Sequence, residues 1–339
     1  MTHHDGYATV YAVLVLAALS ILATAASGPL MQAGARLRAV EKSLKEEAEL
    51  EDAVAELIQY LASDPTPKAD SRQDPVWEYA SAPRIDGISL SLEDISTGLN
   101  LNAIDPIWLK GQELTGALAG LGNIELLYDK RLESFFRTKE EAYEFIPEDT
   151  IGTLFSLYGY ANPNTTDLKT LTRYLEDRLE DSEIATALAN DLVFHAQSKR
   201  LFENDIKQIL GARMNQVSPI IASAPMINVN MASRKLLDIV LSLPFSDEEL
   251  KDPSAILNSL MMNKLAGEVY PSDIHSGVDA EEEHHMVFSF LGATTWFWLI
   301  RAENEGGKSL TVIIARLPYT EERKTPAFQV IEKTWDEGV

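Results

Sequence analysis

"INVNMASRKLLDIVL", residues 227–241, places an apolar residue before each of two asparagines and then runs into a helical pattern. "LNLNAIDPIWL" at 99–109 has the same form, with Asp105 and Pro106 as the cap and first-turn proline of the helix that follows. Each copy reads as a short strand whose last asparagine accepts a hydrogen bond from the opening turn of the next helix. Between them nearly every segment reads helical: "IWLKGQELTGALAGL", "IELLYDKRLESFFR", "DTIGTLFSLYGY", "DLKTLTRYLEDRLED" and "EIATALANDLVFHAQSKRLFENDIKQIL". Two matching strands that bracket a helical block describe an insertion into a strand-bearing domain.

Outward from this pair, the chain supplies the rest of a sheet. Ile88, Leu90 and Leu92, then Leu99 and Leu101, alternate with polar residues and predict two short strands around a turn at Ser96-Thr97-Gly98. Downstream, "MVFSFLG" (286–292) and "TTWFWLIRAENEGGKSLTVIIARLP" (294–318) predict further strands, the last two joined by a hairpin turn at Glu305-Gly306-Gly307-Lys308. Upstream, "SDPTPKADSRQDP" (63–75) is rich in proline and charge and reads as a linker.

The N-terminal side is of another kind. "GYATVYAVLVLAALSILATAASGP" (6–29) belongs to a stretch without formal charge between Asp5 and Arg36, enough helix to cover the roughly 30 Å of a bilayer core. A secretory signal would have Lys or Arg in "MTHHD", which has none, although Ala23-Thr24-Ala25 fits a cleavage site. A plain signal anchor meets its cations, Arg36, Arg38, Lys42 and Lys45, only after the span. A prepilin would be cut after Gly6 and begin at Tyr7. Leu37, Val40, Leu44, Leu50, Val54, Leu57, Ile58 and Leu61 then continue as an amphipathic stripe, which predicts one rod of about fifty residues, roughly 80 Å long, bent at Gly28-Pro29.

Composition narrows the chemistry. Of 339 residues, 52 are acidic and 29 basic, for a net charge of −23, which repels nucleic-acid phosphate. Cysteine is absent, which excludes disulfides, thiolate metal sites and cysteine nucleophiles. "GGKS" at 306–309 has Ala302 where a phosphate loop needs its first glycine, and it sits in a hairpin. His284 and His285 are adjacent, so on a strand or helix they point apart and do not chelate one ion. No G-x-S-x-G or H-E-x-x-H occurs, and neither a catalytic nor a metal set is read from the chain.

The order of these elements resembles the K-type minor pseudopilins of bacterial type II secretion systems (general secretion pathway protein K). "SPIIASAPMINVNMASRKLL" carries the likeness through Ile227, Asn228, Val229, Asn230 and Ala232, with Met231 where that family has threonine. Tyr11, fifth after Gly6, is a second match, because most pilin-like chains place a glutamate there and K-type chains do not. The resemblance implies an α+β fold: a long pilin-like helix packed on a small antiparallel sheet, with a large all-α insertion. Its divisions are a leader at 1–6, an apolar helix at 7–33, an amphipathic continuation at 34–63, the head at 64–104 and 225–339, and the insertion at 105–224.

In function the resemblance implies a non-enzymatic subunit of the inner membrane with its head in the periplasm, processed between Gly6 and Tyr7 and seated at the tip of a pseudopilus. A buried glutamate costs free energy unless it meets a positive partner, and Tyr11 offers no such charge to a subunit above it. The implied partners are I- and J-type minor pseudopilins and the major pseudopilin, met through Leu37, Val40, Leu44 and Leu57, together with membrane lipid through the apolar helix. No cofactor is implied except calcium, for which no ligand set carries over to this chain. The leader lacks the family's basic residues, and the insertion lacks its aspartate-tryptophan-aspartate type motif. Two alternatives stay open, a membrane-anchored periplasmic binding module and a helix-hairpin-helix DNA-binding module. The second is opposed by "LSLPFSDEELKDP", which has four acids and no hairpin glycine.

Overall fold

A computed structural model describes residues 5–82, 87–109, 124–217, 220–243, 250–275, 278, 285–319 and 325–336, without the side chains of 5–9, 26, 28–30, 109 and 124–125. The chain divides into two compact units, Met1–Asp52 and Ala53–Val339. The fold is α+β, with a long N-terminal helix, a four-stranded antiparallel sheet and a block of short helices.

Helix α1 (Asp5–Ala62) has 58 residues, of which those up to Asp52 belong to the first unit and those from Ala53 on belong to the second. Its helical assignment is unbroken through residues 28–30, so the donor that Pro29 lacks does not end the helix. The described side chains from Val10 to Leu22 are exposed. Among the described residues, no helix is long and apolar enough to cross a membrane, and the span expected at 6–29 includes positions whose side chains lie outside them.

In the second unit the last turns of α1 bury Ala53, Val54, Leu57 and Leu61, a stripe at helical spacing. Helix α2 (Pro75–Ser81) follows the linker and buries Val76 and Ala80. Tyr79 of α2 stacks on Tyr60 of α1 with ring centroids 4.5 Å apart, and Trp77 lies 5.5 Å from Trp298.

The sheet runs β1 (Ile88–Asp94), β6 (Phe297–Asn304), β7 (Ser309–Arg316), β8 (Phe328–Asp336), with antiparallel neighbours throughout. Register places Leu90 opposite Ala302 and Leu92 opposite Ile300, and these in turn opposite Leu310 and Val312, so one apolar face is continuous across three strands. The β6–β7 hairpin turns where predicted. Asn304 Oδ1 accepts from the backbone of Gly306 and Lys308, and Gly307 takes a φ of 80°, which suits glycine. Strand β8 was not anticipated. It is an edge strand with most side chains exposed, so it has no buried face to produce an apolar alternation.

Two expectations are corrected. Residues 149–160 are not a helix. Their core is β3 (Phe155–Ser156), paired in parallel with β2 (Leu99–Asn100), and the carbonyls of Leu154 and Ser156 accept from Leu99 and Leu101. The threonines favour the turn, since Thr150 and Thr153 spend their hydroxyls on the carbonyls of Pro147 and Asp149. "MVFSFLG" is not one strand either. Met286–Ser289 form a 3-10 turn, and only β5 (Leu291–Gly292) pairs, in parallel with β4 (Ile227–Asn228). A Cβ on Gly292 would stand 2.9 Å from Pro225, so glycine is what permits that approach.

The helical block contains α3 (Pro106–Leu109), α4 (Ile124–Glu133), α5 (Lys139–Tyr143), α6 (Leu168–Leu179), α7 (Ser182–Ser198), α8 (Glu203–Leu210) and α9 (Met214–Val217). Helices α10 (Arg234–Leu241) and α11 (Pro253–Ala266) follow β4, and one large core joins them to the block.

Candidate functional site

The asparagine motif occurs three times. Asn100 and Asn102, Asn162 and Asn164, and Asn228 and Asn230 all repeat one pattern of bonds, and all six are buried. In each copy the first side chain accepts from the second asparagine's own backbone N–H at 3.0 Å. The first asparagine's carbonyl also accepts from the backbone of the residue four on: Ile104, Thr166 and Ala232. A side chain five residues after the first asparagine then caps a helix, Asp105 to Ile107, Asp167 to Thr170 and Ser233 to Leu236.

The second asparagine is not the helix cap that the sequence suggested. It clasps a peptide group far along the chain. Asn102 binds N–H and C=O of Phe136 at 2.8 and 2.9 Å, Asn164 those of Leu201 at 2.7 and 2.9 Å, and Asn230 those of Val269 at 2.8 and 2.9 Å. A side-chain amide offers one donor and one acceptor side by side, which is what a buried peptide group without a backbone partner needs. Each copy also opens with a parallel backbone pairing, Leu99 to Phe155, Ala161 to Ile221 and Ile227 to Leu291.

Through Asn228 the third copy reaches the sheet. Its Nδ2 donates to Asp70 O and Thr295 Oγ1, both at 2.9 Å. The Asp70 carboxylate accepts from Thr295 N at 2.7 Å and from Arg316 Nη2 at 2.6 Å, and Arg316 Nη1 donates to Pro67 O at 2.9 Å. Arg316 is fully buried at the end of β7. Linker, sheet and repeat therefore meet in one buried ionic network.

Asp64, Asp70 and Asp74 come close enough to offer oxygens within 4.8 Å of one another. Arg316 already supplies the positive charge. Ser71 N and Oγ bind the two oxygens of Asp74, and Thr66 N binds Asp64 Oδ1. With Arg316 on Asp70 and these donors on Asp64 and Asp74, the three carboxylates are accounted for within the chain and do not by themselves point to calcium.

Burial pushes Asp70 up to about 7 against the pull of Arg316, and burial raises Asp74 and Glu268 as well. A carboxyl that holds its proton more tightly when folded contributes stability that is complete below its unfolded pKa near 4 and is lost as pH rises through 7. Urea unfolding between pH 4 and 8 should therefore show stability falling with pH. Asp70→Asn should remove one proton from that slope, and an unchanged slope would contradict the assignment.

The residues singled out in the sequence fall into separate groups. Ile227, Asn228, Val229, Asn230 and Ala232 are buried structural residues of the third copy. Leu37, Val40 and Leu44 are exposed on α1, as is Tyr11, while Leu57 is fully buried. Gly6 and Tyr7 fall in the first turns of α1, where side chains lie outside the described residues. His284 is also outside them, and so are residues 244–249, on which the DNA-binding alternative depends. His285 is buried, its Nδ1 accepting from Val287 N at 3.2 Å. Sequence reading missed Asn162, Asn164, Asp70 and Arg316. The spacing of an asparagine pair from a capping Asp or Ser would have found the first two, but no local signal marks the ionic pair.

No protein-family model and no curated protein matches the chain. Among solved structures it is similar to a chain in the crystal structure of the GspK-GspI-GspJ complex from the enterotoxigenic Escherichia coli type 2 secretion system. The identity is 13%, the TM-score 0.33, and the match covers 88% of this chain and 99% of that chain.

Proposed function

We propose that this protein is a K-type minor pseudopilin, a non-enzymatic subunit at the tip of a type II secretion pseudopilus that helps to start its assembly. The observation that carries the reading is the surface of α1. Val10, Tyr11, Val13, Leu14, Val15, Leu16, Leu19, Ile21 and Leu22 are each more than half exposed, on a helix whose last turns are packed. Monomeric soluble proteins rarely leave so large an apolar patch in water. In this reading the patch lies in the inner membrane before assembly and against neighbouring helices after it, with the second unit in the periplasm. A short leader ends at Gly6, and Tyr7 becomes the first mature residue. Tyr11 carries no charge to pair with a subunit above it, which suits a terminal position.

Leu37, Val40 and Leu44 form the partner stripe, toward other minor pseudopilins of the I and J types. Leu57 is already enclosed within the chain and serves stability instead. Replacing Leu37 and Leu44 by aspartate should change unfolding free energy by no more than about 0.5 kcal/mol, as expected for exposed sites, yet abolish co-purification with those partners. Retained co-purification would defeat the assignment of the stripe. N-terminal sequencing of membrane-derived protein tests the reading as a whole. A first residue at Tyr7 supports it, and one near Ser27 supports ordinary secretion.

A further inference from the structure

The first and third asparagine copies hold a cation in the same place. In the first, Arg131 Nη1 donates to the carbonyls of Leu101 and Ile104 at 3.0 and 2.6 Å. In the third, Lys264 Nζ donates to those of Val229 and Ala232 at 3.3 and 2.7 Å. The carbonyls correspond one to one: the residue between the two asparagines, and the residue two after the second. Both cations also stand five residues before the clasped peptide, Phe136 or Val269, where the middle copy has Ala196.

The copies differ in what neutralises the cation. Arg131, fully buried, is paired with Asp167 at 2.9 Å and also donates to Thr170 Oγ1 at 2.8 Å. Asp167 is the helix cap of the next copy. The third copy has no successor, and among the described residues no carboxylate pairs with Lys264. What faces it instead is a second cation. Arg72, its guanidinium 5.0 Å over the Trp77 ring, lines with Lys264 a cavity of about 380 Å³ at the start of α10, beside Asn230 and Ser233. Burial and the charge of Arg72 both lower the pKa of Lys264. Two like charges and the positive end of α10 thus face one cavity in a chain of net charge −23.

We propose that this cavity is a binding site for an oxyanion, a carboxylate or a phosphate, which takes between Arg72 and Lys264 the place that Asp167 takes beside Arg131. The inference is independent of the pseudopilin reading. Its ligand neutralises Lys264 as Asp167 neutralises Arg131, with Arg72 on the lining of the same cavity.

The test uses the full chain in a neutral detergent, with lysines labelled by 13C at Cε, titrated with sodium acetate and separately with sodium phosphate at constant ionic strength. One lysine resonance should move and saturate, and Lys264→Met should remove that resonance. Arg72→Gln, at an exposed position, should keep the fold and weaken the saturating anion at least tenfold. Saturation by acetate assigns the site to carboxylates, and saturation by phosphate alone assigns it to phosphates. No saturable shift with either anion, or a shift that Arg72→Gln leaves unchanged, overturns the proposal.

Discussion

Arg316→Met is expected to destabilise the second unit by about 3–5 kcal/mol at pH 8, the usual cost of removing one partner from a buried ion pair. Arg316 has no exposed surface, and both of its terminal nitrogens are engaged, one by Pro67 O and one by Asp70. Methionine fills much of the same space and Pro67 O still accepts from the Tyr319 hydroxyl, so the loss is mainly that of an uncompensated buried carboxylate. Below pH 7 Asp70 takes up a proton and the charge disappears, so the same substitution should cost less at pH 5. The double variant Asp70→Leu/Arg316→Met removes both charges and should recover part of the loss. Urea unfolding at the two pH values reads all three effects. A single-variant cost below about 1 kcal/mol at pH 8 would show that the pair is not needed to hold linker and sheet together.

This network shows why part of the molecule could be read in one dimension and part could not. Strands β1 and β6 were legible because one face of each is the more buried, so alternation in sequence reports a face in space, whereas β7 is buried on both faces and was legible as a continuous apolar, β-branched run. The amphipathic half of α1 was legible for the same reason at the helical period. Asp70 and Arg316 are 246 residues apart, and nothing near either marks the other. The middle asparagine copy was hidden by Pro163, which breaks the apolar alternation that made "LNLN" and "INVN" visible. Without that alternation "ANPNTTDLK" reads as the approach to a helix. What the three copies share is a set of side-chain bonds to peptide groups 34, 37 and 39 residues downstream of the second asparagine. Such bonds depend on tertiary position and leave only two asparagines as their trace.

Those bonds predict which single asparagine matters most. Asn102 satisfies three buried backbone groups, the N–H of Phe136 and the carbonyls of Phe136 and Leu157, whereas Asn164 and Asn230 each clasp one peptide. Its alanine variant removes the partner of all three in a buried part of the molecule. At about 1–3 kcal/mol for each bare group, less whatever relaxation recovers, Asn102→Ala should cost about 3–5 kcal/mol. Asn230→Ala, with one peptide exposed, should cost about 2–4 kcal/mol. Hydrogen exchange separates a clasp from a general packing role. Asn102→Ala should lower protection at the Phe136 amide first, with Leu201 and Val269 amides falling only as far as global stability falls, and Asn230→Ala should do so at Val269. If all three amides lost protection equally in either variant, the copies would be one cooperative block, and the repeat would be a likeness of geometry without separate energetic units.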